Sequence, residues 1–167
     1  MGRDMDRNEI EKLKGMPFFA GFSDKGFAKF FGTFNRVSLR RNEVLFREGA
    51  EGDTFFVILS GEVVIEKRTD RGGKFKRLAL LNAGDFFGEM AVLETQPRFA
   101  QARAVTDTEL AELSRDLLLR FIKDCPEEGA GMLIEFLRVI LGRLRHTSNE
   151  LMTAHSFMEV LAKYKKR

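Results

Sequence analysis

The residues best suited to chemistry lie together in Phe86-Phe87-Gly88-Glu89-Met90-Ala91-Val92-Leu93-Glu94, followed closely by Pro97-Arg98-Phe99-Ala100. The pattern predicts a strand end, one turn of helix and a return to strand. Amides that open a helical turn after Gly88 attract an anion, and a glycine there puts no side chain in the way of close approach. Glu89 offers an acceptor-only carboxylate suited to sugar hydroxyls, and Arg98 a planar, permanently charged fork suited to a phosphate. Together they match a sugar phosphate. Spacing alone leaves a second reading open, in which Glu89 and Arg98 neutralise each other across an empty hollow and Gly88 is a turn glycine.

Catalysis finds little support elsewhere in the chain. A metal-dependent barrel draws histidines from its strands, whereas the two histidines here, His146 and His155, fall in the helical C-terminal part. Cys125 is the single cysteine, has no histidine near it in sequence and opens no nucleophile motif, so it reads as a buried or boundary thiol. Glu89 as a general base would need a reactive substrate that nothing specifies. The 17 phenylalanines, with no tryptophan and no basic interleaving, read as core-fillers rather than stacking platforms for nucleic acid. The chain is therefore expected to be neither an enzyme nor a metal binder.

The elements that must position this segment follow from turns and periodicity. From about Phe34 to Leu113 short strands are separated by Arg41-Asn42, Glu51-Gly52-Asp53, Ser60-Gly61, Asp70-Arg71-Gly72-Gly73, Asn82-Ala83-Gly84-Asp85 and Asp107-Thr108, a spacing that predicts an all-β sandwich or barrel. Val63 and Ile65 alternate with Glu62, Val64 and Glu66, so one face of that strand points inward and the other is at least partly wet. Before the strands, Ile10, Leu13, Phe27, Phe30 and Phe31 fall at helical spacing, with Ser23 as an N-cap. After them, Ser114 caps a helix that Pro126 interrupts, and everything beyond Glu127 reads as one long helix. The expected division is an N-terminal helical segment over 1–33, a β-barrel over 34–113 and C-terminal helices over 114–167.

The long helix carries two rows at heptad spacing: Leu137, Leu144, Leu151 and Met158, and Leu133, Ile140, Thr147, Ala154 and Leu161. Such rows form a coiled-coil seam. At about 1.5 Å per residue the helix exceeds roughly 45 Å, longer than a domain this small, so part of the seam requires another partner, and a homodimer is expected. Thr147-Ser148 breaks the seam; it either sets the register of the helix pair or touches a ligand.

Composition bounds the rest. A chain of 167 residues with 44% hydrophobic content buries one sizeable core, and 28 basic against 25 acidic residues give an ordinary surface rather than one that coats nucleic acid. The N-terminus, Met1-Gly2-Arg3-Asp4-Met5-Asp6-Arg7, is too charged for a signal-peptide core. No apolar run approaches the roughly 18 residues of a membrane span. The expectation is a cytoplasmic protein without a membrane anchor.

Phe87-Gly88-Glu89-Met90-Ala91-Val92-Leu93 through Pro97-Arg98-Phe99-Ala100 resembles the phosphate-binding cassette of cyclic-nucleotide-binding domains. Leu45-Phe46-Arg47-Glu48-Gly49, Gly52-Asp53 and Phe56-Val57-Ile58-Leu59-Ser60-Gly61-Glu62-Val63 resemble the early barrel of that family, and Asn82-Ala83-Gly84-Asp85-Phe86 the turn leading into the cassette. The resemblance covers most of residues 17 to 160. It implies a mainly β, jelly-roll-like double-stranded β-helix with flanking N-terminal helices and a long C-terminal dimerisation helix. By resemblance, Gly88, Glu89, Met90 and the neighbouring amides, including those of Ala91 and Phe99, hold ribose and phosphate; Arg98 pairs with the cyclic phosphate, and no bond is broken. Leu144-Arg145-His146-Thr147-Ser148-Asn149-Glu150-Leu151 is similar to the dimer helix of bacterial catabolite-activator proteins, where a Thr-Ser pair contacts adenine, which assigns Thr147 and Ser148 to the base. Ile65 and Leu78 are candidates for its walls, although pattern alone makes them core.

Two residues depart from the family. Phe99 stands where a small residue usually follows the arginine; its ring either crowds the pocket, covers the base or turns outward into the core. It also lacks the hydroxyl that guanine-selective members use. Asn42 replaces a frequent turn glycine, a mild change because Asn tolerates a left-handed backbone. The expected function is a regulatory signalling module that binds cAMP in preference to cGMP and couples the ligand to its last helix. The alternatives are a degenerate dimeric scaffold without nucleotide, or a transcription regulator whose DNA-binding domain lies outside this chain. By itself the chain, ending in Lys163-Tyr164-Lys165-Lys166-Arg167, presents no helix-turn-helix and is not expected to bind DNA.

Overall fold

The computed structural model describes residues 7–32, 34–69, 73–94 and 96–164, with the side chains of residues 7–9, 12 and 160–164 outside the description. Asp70, Arg71 and Gly72 of the expected hairpin turn, the side chain of Leu161 in the seam, and the terminal Lys165-Lys166-Arg167 fall outside the described residues. The chain forms two compact units, 1–132 and 133–167.

In the first unit, α1 (Arg7–Lys14), a 3-10 turn (Pro17–Phe19) and α2 (Asp24–Phe31) precede eight strands. Ser23 caps α2, its hydroxyl accepting from the Gly26 amide at 3.0 Å. The strands are β1 (Asn35–Leu39), β2 (Val44–Phe46), β3 (Thr54–Ser60), β4 (Glu62–Arg68), β5 (Phe75–Asn82), β6 (Phe86–Phe87), β7 (Gln101–Ala104) and β8 (Thr108–Ser114), with the short helix α3 (Glu89–Glu94) between β6 and β7. They pair antiparallel into two four-stranded sheets, β1-β8-β3-β6 and β2-β7-β4-β5. The fold is mainly β and jelly-roll-like, with flanking helices and a long C-terminal helix.

Alternation along the strands builds two apolar layers. Leu39, Phe56, Ile58, Phe87 and Leu110 of the first sheet meet Val63, Leu81, Ala102 and Ala104 of the second in one core. Phe56 and Phe87 sit opposite each other in the β3–β6 ladder and stack at 5.4 Å. Their chain neighbours Phe55 and Phe86 point to the other face, because successive side chains alternate. There Phe18 covers them, with ring centroids 6.3 and 5.2 Å away, and Phe19 and Phe30 extend the layer. The paired Phe-Phe dipeptides thus tie the barrel core to the N-terminal helices.

The strand β4 differs from simple alternation. Val63 is buried and Ile65 half-buried as the pattern requires, but Val64 and Glu66 on the opposite face are buried too. Glu66 accepts from Gln101 Nε2 at 2.9 Å and from Arg103 Nε and Nη2 at 2.9 and 3.0 Å. A bidentate guanidinium and an amide replace the water that a carboxylate would otherwise need.

Ser114 caps α4 (Arg115–Asp124), and Pro126 takes the first position of α5 (Pro126–Tyr164), where its missing N–H costs no hydrogen bond. Ser23 also donates to the Glu128 carboxylate at 2.6 Å, holding the start of α5 against α2 within this unit. The second unit is the remainder of α5. Leu137, Leu144, Leu151 and Met158, one expected row of the seam, are each more than half exposed. Among the described residues no helix is long and apolar enough to cross a membrane, and no cluster of His, Cys, Asp or Glu could hold a metal ion.

Candidate functional site

Arg98 is the centre of the site, and the chain before β7 is held there by its backbone. The Arg98 amide donates to the Ala50 carbonyl and its carbonyl accepts from the Gly49 amide, both at 2.8 Å. This pairing with the loop after β2 turns the side chain inward, where the residue is only 5% exposed. The guanidinium lies over the rings of Phe46, at 4.2 Å, and Phe56, at 5.7 Å. Nη1 donates to the carbonyls of Thr54 at 2.7 Å and Gly88 at 3.3 Å, and Nη2 donates to the Thr54 hydroxyl at 2.8 Å. None of these partners is charged, and among the described residues Nε has no hydrogen-bond partner. Burial pushes the guanidinium below the ordinary arginine value, against the pull of the Asp53, Glu112 and Glu89 carboxylates. A buried cation with an unused donor is a site prepared for an anion.

Two glycines make room for it. Gly88 joins β6 to α3 with φ of 84°, a left-handed conformation, and a Cβ there would lie 2.9 Å from Arg98 Nη1 and 3.0 Å from the Thr54 carbonyl. Gly52 borders the opposite edge of the guanidinium. Leading into the cassette, the Asp85 carboxylate accepts from the Asn82 amide at 2.8 Å, closing the turn between β5 and β6.

The structure therefore brings together Gly88, Glu89 and Arg98. Glu89 is 4% exposed at the start of α3, Ala91 is buried, and Met90 is turned toward solvent. Phe99 is 53% exposed and leaves the core rather than entering it; the Lys67 ammonium sits 3.6 Å from its ring centroid and donates to its carbonyl at 3.0 Å. Ile65 packs against the barrel core, and Leu78 is exposed on the edge strand β5. Thr147 and Ser148 are exposed in the second unit, Thr147 donating to the Arg143 carbonyl at 3.1 Å. Asn42 adopts φ of 69°, as its place in the β1–β2 turn requires.

Sequence reasoning missed Thr54 and the role of Gly52. Gly52 was visible as a turn residue, but nothing in the spacing tied it to an arginine more than forty positions later. The only available signal was that Gly52-Asp53-Thr54 opens the strand facing the cassette.

The family model for the cyclic nucleotide-binding domain matches residues 36–125, more than half of the chain. A CRP-like cAMP-activated global transcriptional regulator from Mycobacterium tuberculosis is 32% identical over 141 residues, covering 84% of this chain and 61% of the relative. The cyclic AMP receptor protein of Thermus thermophilus is 36% identical over 114 residues, covering 68% and 52%. The chain thus spans between half and two thirds of the length of these relatives. A solved cyclic nucleotide-binding domain from Methylobacillus flagellatus superimposes with a TM-score of 0.75 at 29% identity, covering 87% of this chain and 82% of that one. With its barrel, its cassette and a family match across both, the chain belongs to the cyclic nucleotide-binding domain family.

Proposed function

We propose that this chain is a non-catalytic regulatory module that binds a cyclic nucleotide, with cAMP preferred over cGMP. The observation that carries the reading is Arg98: 5% exposed and, among the described residues, hydrogen-bonded only to neutral groups with Nε left without a hydrogen bond. In this reading Arg98 holds the cyclic phosphate and Glu89 the ribose, with Gly88, Met90, Ala91 and the Phe99 amide lining the cassette. The names of the M. tuberculosis and T. thermophilus relatives favour cAMP, as does a phenyl group at position 99 in place of a hydroxyl. Assignment of Thr147 and Ser148 to the base rests on the likeness of their helix segment to catabolite-activator proteins.

The binding barrel is residues 34–113, flanked by the helical segments 1–33 and 114–167. The chain pairs with a second copy through Leu137, Leu144, Leu151 and Met158, whose exposure in one row is the observation behind the dimer. Ligand shifts the C-terminal helix only by its differential affinity for two helix positions. A lone cysteine, which leaves no intramolecular disulfide to form, favours action in the cytoplasm.

Isothermal titration with cAMP and with cGMP tests the proposal, using protein unfolded and refolded to remove carried-over nucleotide. Saturable binding, tighter for cAMP and lost in Arg98→Ala, is the expected result. Absence of heat with either ligand overturns the receptor reading, and tighter cGMP binding overturns the preference.

A further inference from the structure

We propose that Thr54 is the positioning residue for Arg98, its hydroxyl selecting the edge of the guanidinium that meets an anion; this rests on the cyclic-nucleotide reading above. Thr54 opens β3 and takes hydrogen bonds from both terminal nitrogens of Arg98, its carbonyl from Nη1 at 2.7 Å and its hydroxyl from Nη2 at 2.8 Å. A backbone carbonyl is present whatever residue occupies the position. The hydroxyl is not, and it is the only side-chain group bonded to this guanidinium among the described residues.

These bonds divide the donors. Nη1 is committed to two carbonyls, those of Thr54 and Gly88. Nη2 gives one N–H to Thr54 and retains a second, while Nε has no hydrogen-bond partner among the described residues. The donors left over are therefore the adjacent pair Nε and Nη2, the fork that grips two oxygens of one phosphate. The same edge borders Gly52, where a Cβ would come within 2.6 Å of both nitrogens. Arginine is a long, rotamer-rich side chain, and orienting it before the ligand arrives removes an ordering cost from binding. A guanidinium released from the hydroxyl would have to recover that orientation on binding.

Titration of cAMP into ligand-stripped wild type, Thr54→Val, Thr54→Ala and Thr54→Ser tests this. Valine keeps the branched shape and removes the acceptor; serine keeps the acceptor and removes the methyl. Both hydroxyl-free variants are expected to lose roughly three- to tenfold in affinity, the range for one immobilised side chain, and Thr54→Ser to stay within about twofold of wild type. A purely structural role would track thermal stability instead, so each affinity is compared with the unfolding midpoint of the ligand-free variant. Wild-type affinity in folded Thr54→Val, or equal losses in the valine and serine variants, overturns the positioning role while leaving the receptor reading intact. Failure of wild type to bind either cyclic nucleotide overturns both.

Discussion

Gly52 and Arg98 are in direct apposition across the mouth of β3: a Cβ on residue 52 would lie 2.6 Å from both Nε and Nη2 of the guanidinium. No side chain fits there unless the arginine moves. Gly52→Ala is therefore expected to displace Arg98 from Thr54 and to weaken cyclic-nucleotide binding, with a smaller effect on stability because the clash is with the far end of a flexible side chain rather than with backbone. Chemical denaturation and titration of the same variant check the two effects together.

Arg98 should matter to ligand far more than to the fold. Removing one partner of a desolvated charge pair costs about 2–5 kcal/mol of binding, and Arg98→Ala is expected to lose cAMP affinity in that range. In the ligand-free protein the guanidinium is a buried cation that, among the described residues, hydrogen-bonds only to neutral groups and leaves Nε without a hydrogen bond, while the Asp53, Glu112 and Glu89 carboxylates act on it without bonding it. Replacement by an apolar residue of similar length removes that desolvation cost. Against that gain stands the loss of a countercharge for the buried Glu89, so Arg98→Met is expected to abolish phosphate recognition while moving the unfolding midpoint without ligand by much less than it moves binding. A sharp fall in the midpoint would make Arg98 a structural residue.

The Glu66–Arg103 pair predicts an acid limb in the stability curve. Hydrogen bonds from Arg103 hold the Glu66 carboxyl below the usual carboxylate range, opposed by burial and aided by Gln101. The folded value is depressed, so the stabilisation is fully present above the unfolded value of about 4.3 and is lost as pH falls through the folded value. Arg103→Met should cost about 2 kcal/mol near neutral pH, the scale of hydrogen bonds to a charged group, and flatten the acid limb. Urea unfolding of wild type and variant across the acid range measures both.

The row Leu137, Leu144, Leu151 and Met158 is exposed along α5, at 59, 59, 66 and 65%. Burial of a leucine in a helix pair contributes about 1.5–3 kcal/mol, so the proposed pairing predicts a dimer for the wild type and a monomer for Leu144→Asp combined with Leu151→Asp. Sedimentation equilibrium reads the mass directly; an unchanged mass would remove these residues from the interface.

Periodicity and turn chemistry are local properties, and what depends on them was readable from the chain. Ser23 and Ser114 cap helices because a hydroxyl ahead of a helical run meets its first free amides. Most strand boundaries fall at a Gly, Asn or Asp where the backbone must reverse, as at Asn42, Gly61, Gly84-Asp85 and Asp107, whereas β7 follows Pro97-Arg98-Phe99-Ala100; Gly88, Glu89 and Arg98 stand out as a candidate cassette because they lie within one short segment. The tertiary structure decided what faces these residues. Whether Glu66 is wet depends on β7 bringing Gln101 and Arg103 alongside it. Whether Phe99 enters the core depends on Lys67 reaching across from β4 to cover it. The orientation of Arg98 depends on Gly52 and Thr54, which the β3–β6 pairing and the loop after β2 bring beside it from more than forty positions away. Hydrophobic pattern and turn propensity act between near neighbours, whereas the partners of a buried polar group are chosen by strand register, which arises only when the sheets assemble.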